Sequence, residues 1–188
     1  MKKIKLYPKI SGSAWLGLYV VVLIIIQTVL NLFYTGLLNT DEIEHIHASW
    51  LVWSGKVPYT DFFEHHNPLL WYLFAPITGL MFDNINVYYV SRCLTFAAVG
   101  TSWWFIYKIM TRWFGVWQSW LAALLLFCCS DYVSRNFVEF RPDAFMNLCL
   151  WSGLYYYFCY FNSKKTWQLS RCFIFFKHSF LFINKINL

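Results

Sequence analysis

The ionisable chemistry of this chain is concentrated between positions 41 and 66. Five of its nine acidic residues (Asp41, Glu42, Glu44, Asp61, Glu64) and four of its five histidines (His45, His47, His65, His66) fall there. Carboxylates beside imidazoles can relay a proton or hold a cation. Trp50, Trp53, Tyr59, Phe62 and Phe63 are interleaved with the charges, an aromatic content that disordered linkers lack. Long loops that are not disordered are usually functional.

A second group lies about 100 residues further along, in Arg135-Asn136-Phe137-Val138-Glu139-Phe140-Arg141-Pro142-Asp143, and Arg92 stands between the two. Carboxylates facing a cluster of arginines suit a reaction in which a hydroxyl loses a proton and a phosphate leaves. A metal site is the competing reading, because Glu42-x-x-His45 and His45-x-His47 have spacings that ligate divalent ions. On a helix, however, His45 and His47 would point about 200° apart. A dedicated transition-metal role is the weaker expectation. No cofactor is required by the sequence, although a divalent metal ion is compatible with it. No GxxxxGK[ST] or GxGxxG phosphate loop occurs.

The elements that must position these residues are read from composition. Hydrophobic residues make up 59% of the 188, aromatic residues 23% and charged residues 13%, against about 25% charged in an ordinary soluble domain. This predicts an all-α integral membrane protein. The net charge of +6 does not point to nucleic acid, since the cations lie at the ends of apolar runs instead of on one basic face. The expected spans are 13–38, 91–110, 114–131 and 144–161, with outer loops at 39–90 and 131–143. With that arrangement Lys2, Lys3, Lys5, Lys9, Lys108, Arg112, Lys164 and Lys165 are cytoplasmic and all nine acids are outside, as the positive-inside rule favours for the cations. The first outer loop is expected to carry two interfacial helices. One would bury Ile43, Ile46, Trp50 and Trp53 opposite Glu42, His45 and Ser49; the other would start at Asn67-Pro68 and run to Phe82. The alternative is that 67–82 itself crosses. The localisation that follows is a bacterial cytoplasmic (inner) membrane, multi-pass, with a cytoplasmic N-terminus and extracytoplasmic site loops.

These blocks resemble a known family. An Asp41-Glu42 pair directly after the first apolar segment looks like the DE motif of the GT-C membrane glycosyltransferases, among them the protein O-mannosyltransferases and the lipid A aminoarabinose transferases. Pro58-Tyr59-Thr60-Asp61-Phe62-Phe63-Glu64-His65-His66-Asn67-Pro68-Leu69-Leu70-Trp71-Tyr72 is similar to the first loop of bacterial members, and Ser91-Arg92 and Arg141-Pro142-Asp143 resemble their later blocks. The resemblance covers roughly residues 13–160 and implies the N-terminal part of a GT-C fold, about 4–5 transmembrane helices in all. It implies inverting transfer of a sugar from a polyprenyl-phosphate donor to a lipid, glycan or protein acceptor, among membrane lipids and without nucleic acid. In that reading Asp41 is the general base and Asp143 orients the acceptor or a cation. Arg92 and Arg141 hold the donor phosphate, with Glu42, Glu64, His65 and His66 near the same pocket.

The segment 168–188 departs from the pattern: Arg171, Lys177 and Lys185 interrupt what should be a fifth apolar run, and its Phe/Ile/Lys/Asn bias resembles A/T-rich DNA read out of frame. The expectation is a domain at 1–167, truncated by a frameshift and lacking turnover if later helices are needed. The contrasting class is a small non-enzymatic membrane protein whose acid- and histidine-rich loop binds a metal or another ligand.

Overall fold

The computed structural model describes residues 39–128 and 139–183, together with isolated positions 18, 21, 22, 25, 26 and 29. The expected first span at 13–38 therefore lies almost wholly outside the described residues, as do Arg135 and the N-terminal lysines. Six helices are described: α1 (Thr40–Trp53), α2 (Leu69–Met81), α3 (Asn86–Met110), α4 (Val116–Cys128), α5 (Pro142–Ser163) and α6 (Thr166–Ile183).

Each start and stop has a local cause. The Asn39 side chain caps α1 by accepting from the Asp41 N–H, and Asp41 and Glu42 place negative charge in the first turn, where the helix dipole favours it. Gly55, at φ 82°, lets the chain turn away after α1. Asn67 Oδ1 accepts from the Leu69 N–H at 3.3 Å at the start of α2, while Pro68 takes the cap position. Pro142 opens α5 and Lys164, at φ 54°, ends it.

The core joins α1, α2, α3 and the approach to α5. Ile46 and Ala48 of α1, Leu70, Trp71 and Phe74 of α2, Val87 of α3 and Phe140 just ahead of α5 form one buried cluster. The α1–α2 crossing is close: a Cβ on Gly79 would fall 2.1 Å from Trp53 Cγ. Helix α6 packs along α5, with Tyr156 and Phe175 stacked at 5.6 Å. Arg171, one of the residues that breaks the apolar pattern of the tail, lies over the rings of Tyr156 and Trp167.

The all-helical expectation agrees with these elements; the membrane architecture does not. No helix among the described residues is long and apolar enough to cross a membrane. The expected spans at 91–110, 114–131 and 144–161 correspond to α3, α4 and α5, but not as spans. Crossing a bilayer takes about 20 predominantly apolar residues. The described part of α4 has 13 and α2 has 13. Helices α3 and α5 are longer, but α3 carries Ser91, Arg92, Thr95, Thr101, Ser102 and Lys108, and α5 carries Asp143, Asn147, Ser152, three consecutive tyrosines and Asn162. The integral-membrane fold class, with its 4–5 transmembrane helices and GT-C arrangement, is corrected on this ground. So is the multi-pass inner-membrane localisation with extracytoplasmic loops.

The two interfacial helices of the first loop are corrected as well. Helices α1 and α2 exist, but they pack on each other, and α1 turns a more polar face inward than the hydrophobic expectation, keeping only Ile46 of the expected stripe fully buried. Glu42, His45, Ile46, Ala48 and Ser49 are buried, whereas Ile43 and Trp53 are 42% and 50% exposed. Glu42 and His45 find partners on other helices, in Arg92 and Trp71, and the Ser49 hydroxyl bonds the His45 carbonyl of its own helix.

Candidate functional site

The first partner is a buried arginine. Arg92, one turn and a half into α3, donates from Nε to Glu42 Oε1 at 2.9 Å and from Nη2 to Glu42 Oε2 at 2.7 Å. The pair is almost wholly excluded from solvent, at 3% and 0% side-chain exposure. Glu42 Oε1 also accepts from the Phe140 N–H at 3.3 Å. One carboxylate thus ties α1, α3 and the strand of backbone entering α5. The hydrogen bond to Glu42 holds the Arg92 guanidinium even more firmly protonated than usual. Both residues were expected near the substrate; the structure pairs them with each other in the core.

A half-exposed cluster forms around Arg141. Arg141, ahead of α5, places Nη2 3.1 Å from Asp41 Oδ2, Nε 3.6 Å from Asp143 Oδ2 and Nη1 3.8 Å from Glu139 Oε2. Asn39 Nδ2 donates to Glu139 Oε2 at 3.1 Å, closing the cluster across 100 residues of sequence. The structure therefore brings together Asp41, Arg141 and Asp143, as expected, and adds Glu139. One guanidinium faces three carboxylates, so the cluster is locally negative.

The second group comes from the loop between α1 and α2. Glu64 is 4% exposed, and its Oε1 lies 2.8 Å from His65 Nδ1 and 3.0 Å from His66 Nδ1; it also accepts the His65 backbone N–H at 2.8 Å. Tyr59 holds this loop, with its hydroxyl donating to the His66 carbonyl at 2.5 Å and its own backbone at φ 67°, a conformation costly for a non-glycine residue. Glu64, His65 and His66 offer ligand atoms all within 4.8 Å of one another, and this group could hold a metal ion. Glu44 adjoins it. A hydrogen bond to Glu64, with burial and the nearby negative charge behind it, raises the Glu44 carboxyl to about 7. Burial pushes Glu64 up, but the hydrogen bonds from Glu44, His66 and the His65 N–H outweigh it and leave Glu64 below the usual value. The shift places the more weakly acidic carboxyl of the pair on Glu44.

His45 and His47 separate as their spacing requires. His47 is exposed and stacks on Trp50 at 5.8 Å. His45 is 1% exposed, accepts the Trp71 indole N–H on Nδ1 at 3.2 Å and meets the His66 ring edge-on at 4.6 Å. Burial, with the neighbouring His66, lowers it to about 4. Neither residue joins the other as a metal ligand.

Tyr59, Trp71, Glu139, Glu44 and Asn39 were not among the expected site residues. Tyr59 and Trp71 stand inside the Pro58–Tyr72 block, where the sequence assigned them no individual role. Glu44 and Glu139 carried only the signal of being acids near other acids.

Comparison with known proteins adds no relative: no family model matches the chain, and neither a curated protein nor a solved structure matches it. The likeness to glycosyltransferases rests on the residues quoted above.

Proposed function

We propose that this chain transfers a sugar from a phosphate-linked donor, of the polyprenyl-phosphate kind, to a hydroxyl of a lipid, glycan or protein acceptor. The observation that carries the reading is the meeting of Asp41 and Arg141 at 3.1 Å, both partly open to solvent, beside the buried Glu42–Arg92 pair. A base and a phosphate-binding cation are the two groups an inverting displacement needs. The acceptor oxygen forms the new bond to the anomeric carbon as Asp41 takes its proton. The bond from that carbon to the phosphate oxygen breaks, and the leaving negative charge is received by Arg141. Asp143 and Glu139 keep the guanidinium in place before the donor arrives.

Three carboxylates around one arginine would repel a phosphate, which supports a divalent cation accompanying the donor. Glu64, His65 and His66 are the residues to hold it; the ion's contribution would be to offset that charge. Incubating the purified chain with polyprenyl-phosphate sugars and following sugar transfer is the direct test. Transfer that survives Asp41→Asn removes the base from the mechanism. A second reading, cation binding without turnover, is favoured by the same Glu-His-His group, and tight zinc uptake with no transfer to any acceptor would select it.

A further inference from the structure

His45 is a buried group that the mechanism above leaves unused, and its hydrogen bonding is incomplete in a defined way. An indole N–H can only donate, so the Trp71 bond requires a lone pair on His45 Nδ1. An imidazolium has no such lone pair, and the neutral ring must then carry its proton on Nε2. That Nε2–H is buried and has no hydrogen-bond partner among the described residues. Leaving a buried donor unpaired is costly, and such exceptions call for an explanation. The wrong proton position also rules out the simplest one, metal ligation, because a metal needs the lone pair that Nε2 lacks.

The surroundings say what the donor faces. His66 packs against the ring edge and Phe140 stands across it at 6.5 Å. His66 belongs to the Glu64 group and Phe140 sits between Glu139 and Arg141 in the chain, so the His45 ring touches an element of each charged cluster. We infer that the His45 Nε2–H is a fixed donor to a phosphoryl oxygen bound beside Arg141, with Trp71 setting the tautomer. Among the acceptors a phosphate-linked sugar brings, the anionic phosphoryl oxygens are the strongest partners for a fixed N–H, because hydrogen bonds to an ionised acceptor are about twice as strong as neutral ones. This rests on the transferase reading and deepens it: the donor's phosphate is held by a neutral hydrogen bond as well as by a guanidinium.

The test uses the full chain, with inorganic phosphate and methyl phosphate as probes. Imidazole 1H–15N spectra should show His45 as the Nε2–H tautomer, with its proton resonance shifted on adding either probe. His45→Phe, which keeps a ring and loses the donor, should weaken binding by about 10- to 100-fold. His45→Gln, which restores an N–H at similar reach, should recover most of that loss even where the phenylalanine variant folds poorly. Trp71→Phe should leave a mixture of tautomers and weaken binding less than His45→Phe does. An Nδ1–H tautomer in the wild-type chain, or equal affinity in His45→Phe and wild type while Arg141→Ala loses binding, overturns this inference and leaves the transferase reading intact. Phosphate binding insensitive to Arg141→Ala, or no binding at all, overturns both.

Discussion

Asp41 and Glu42 are consecutive residues in the first turn of α1, and they end in opposite environments. The Asp41 carboxylate is 34% exposed and shares Arg141 with Asp143 and Glu139. The Glu42 carboxylate is fully buried and takes both arms of Arg92 together with the Phe140 N–H. Successive side chains on a helix diverge by about 100°, so one of the pair must turn inward when the other faces the site. The contrast separates two jobs that a sequence motif runs together. The buried member fixes where α1, α3 and the start of α5 meet, and the exposed member inherits its position from that junction.

The largest test of the contrast is to remove one half of the buried pair. Glu42→Ala or Arg92→Ala leaves an uncompensated charge in the core and should cost about 3–5 kcal/mol of stability, read by denaturant unfolding. The double variant Glu42→Leu/Arg92→Met should cost less than either single change, because it removes the charge and its desolvation together. Loss of less than about 1 kcal/mol in either single variant would place Glu42 with Asp41 as a surface carboxylate.

The exposed half should behave in the converse way. Asp41→Asn is expected to lower the transfer rate by about 10²–10⁴-fold, the usual contribution of a general base. Its unfolding free energy should stay within about 1 kcal/mol of wild type, since half-exposed ion pairs contribute little. A variant that lost activity only because it unfolded would erase the distinction drawn here.

A smaller effect distinguishes the loop cluster from both carboxylates. Glu44 is raised from 4.5 to about 7 by its hydrogen bond to Glu64 and by burial. A folded-state value above the unfolded one means that the folded protein holds the proton more tightly. The corresponding stability is fully present below about 4.5 and is lost as pH rises through about 7. Thermal midpoints measured across that window should fall with rising pH more steeply in wild type than in Glu44→Gln, which keeps a neutral side chain throughout. Identical slopes would mean that the Glu44 carboxyl is not raised. Comparing the two proteins cancels the contribution of the neighbouring histidines.

Parts of this arrangement are legible in the sequence. Glu44, Glu64, His65 and His66 do gather, Arg141 does join Asp41 and Asp143, and the segments 91–110 and 144–161 are helical, although they were expected as membrane spans, because an uncharged apolar run is a local signal. The partner choice of Arg92 was not legible. Whether a guanidinium holds a ligand or a carboxylate depends on which helix crosses it, and Glu42 lies 50 positions away in sequence. Nor was the face of α1 that turns inward. Periodicity counts apolar side chains, and it assigned Glu42, His45 and Ser49 outward; but polar groups enter a core readily when each is paired. The same bias inflated the membrane reading. A chain rich in aromatic residues scores as apolar, while the few polar side chains that α3 buries, Ser91, Arg92, Thr95 and Ser102, weigh little in a composition.

Helix α1 supplies the finest test, because Ile43 and Ile46 are the same residue type one turn apart. The apolar pattern places both on one buried stripe, but Ile43 is 42% exposed and Ile46 only 2%. Ile46→Ala removes methyl groups from the cluster of Leu70, Trp71, Phe74 and Phe140 and should cost about 2–5 kcal/mol. Ile43→Gln changes only a partly solvated position and should stay within about 0.5 kcal/mol. Equal costs for the two would mean that α1 is rotated toward the stripe its hydrophobicity favours, and Glu42 would then have to leave Arg92. The small effect at Ile43 therefore checks the same geometry as the large one at Glu42, from the opposite face of the helix.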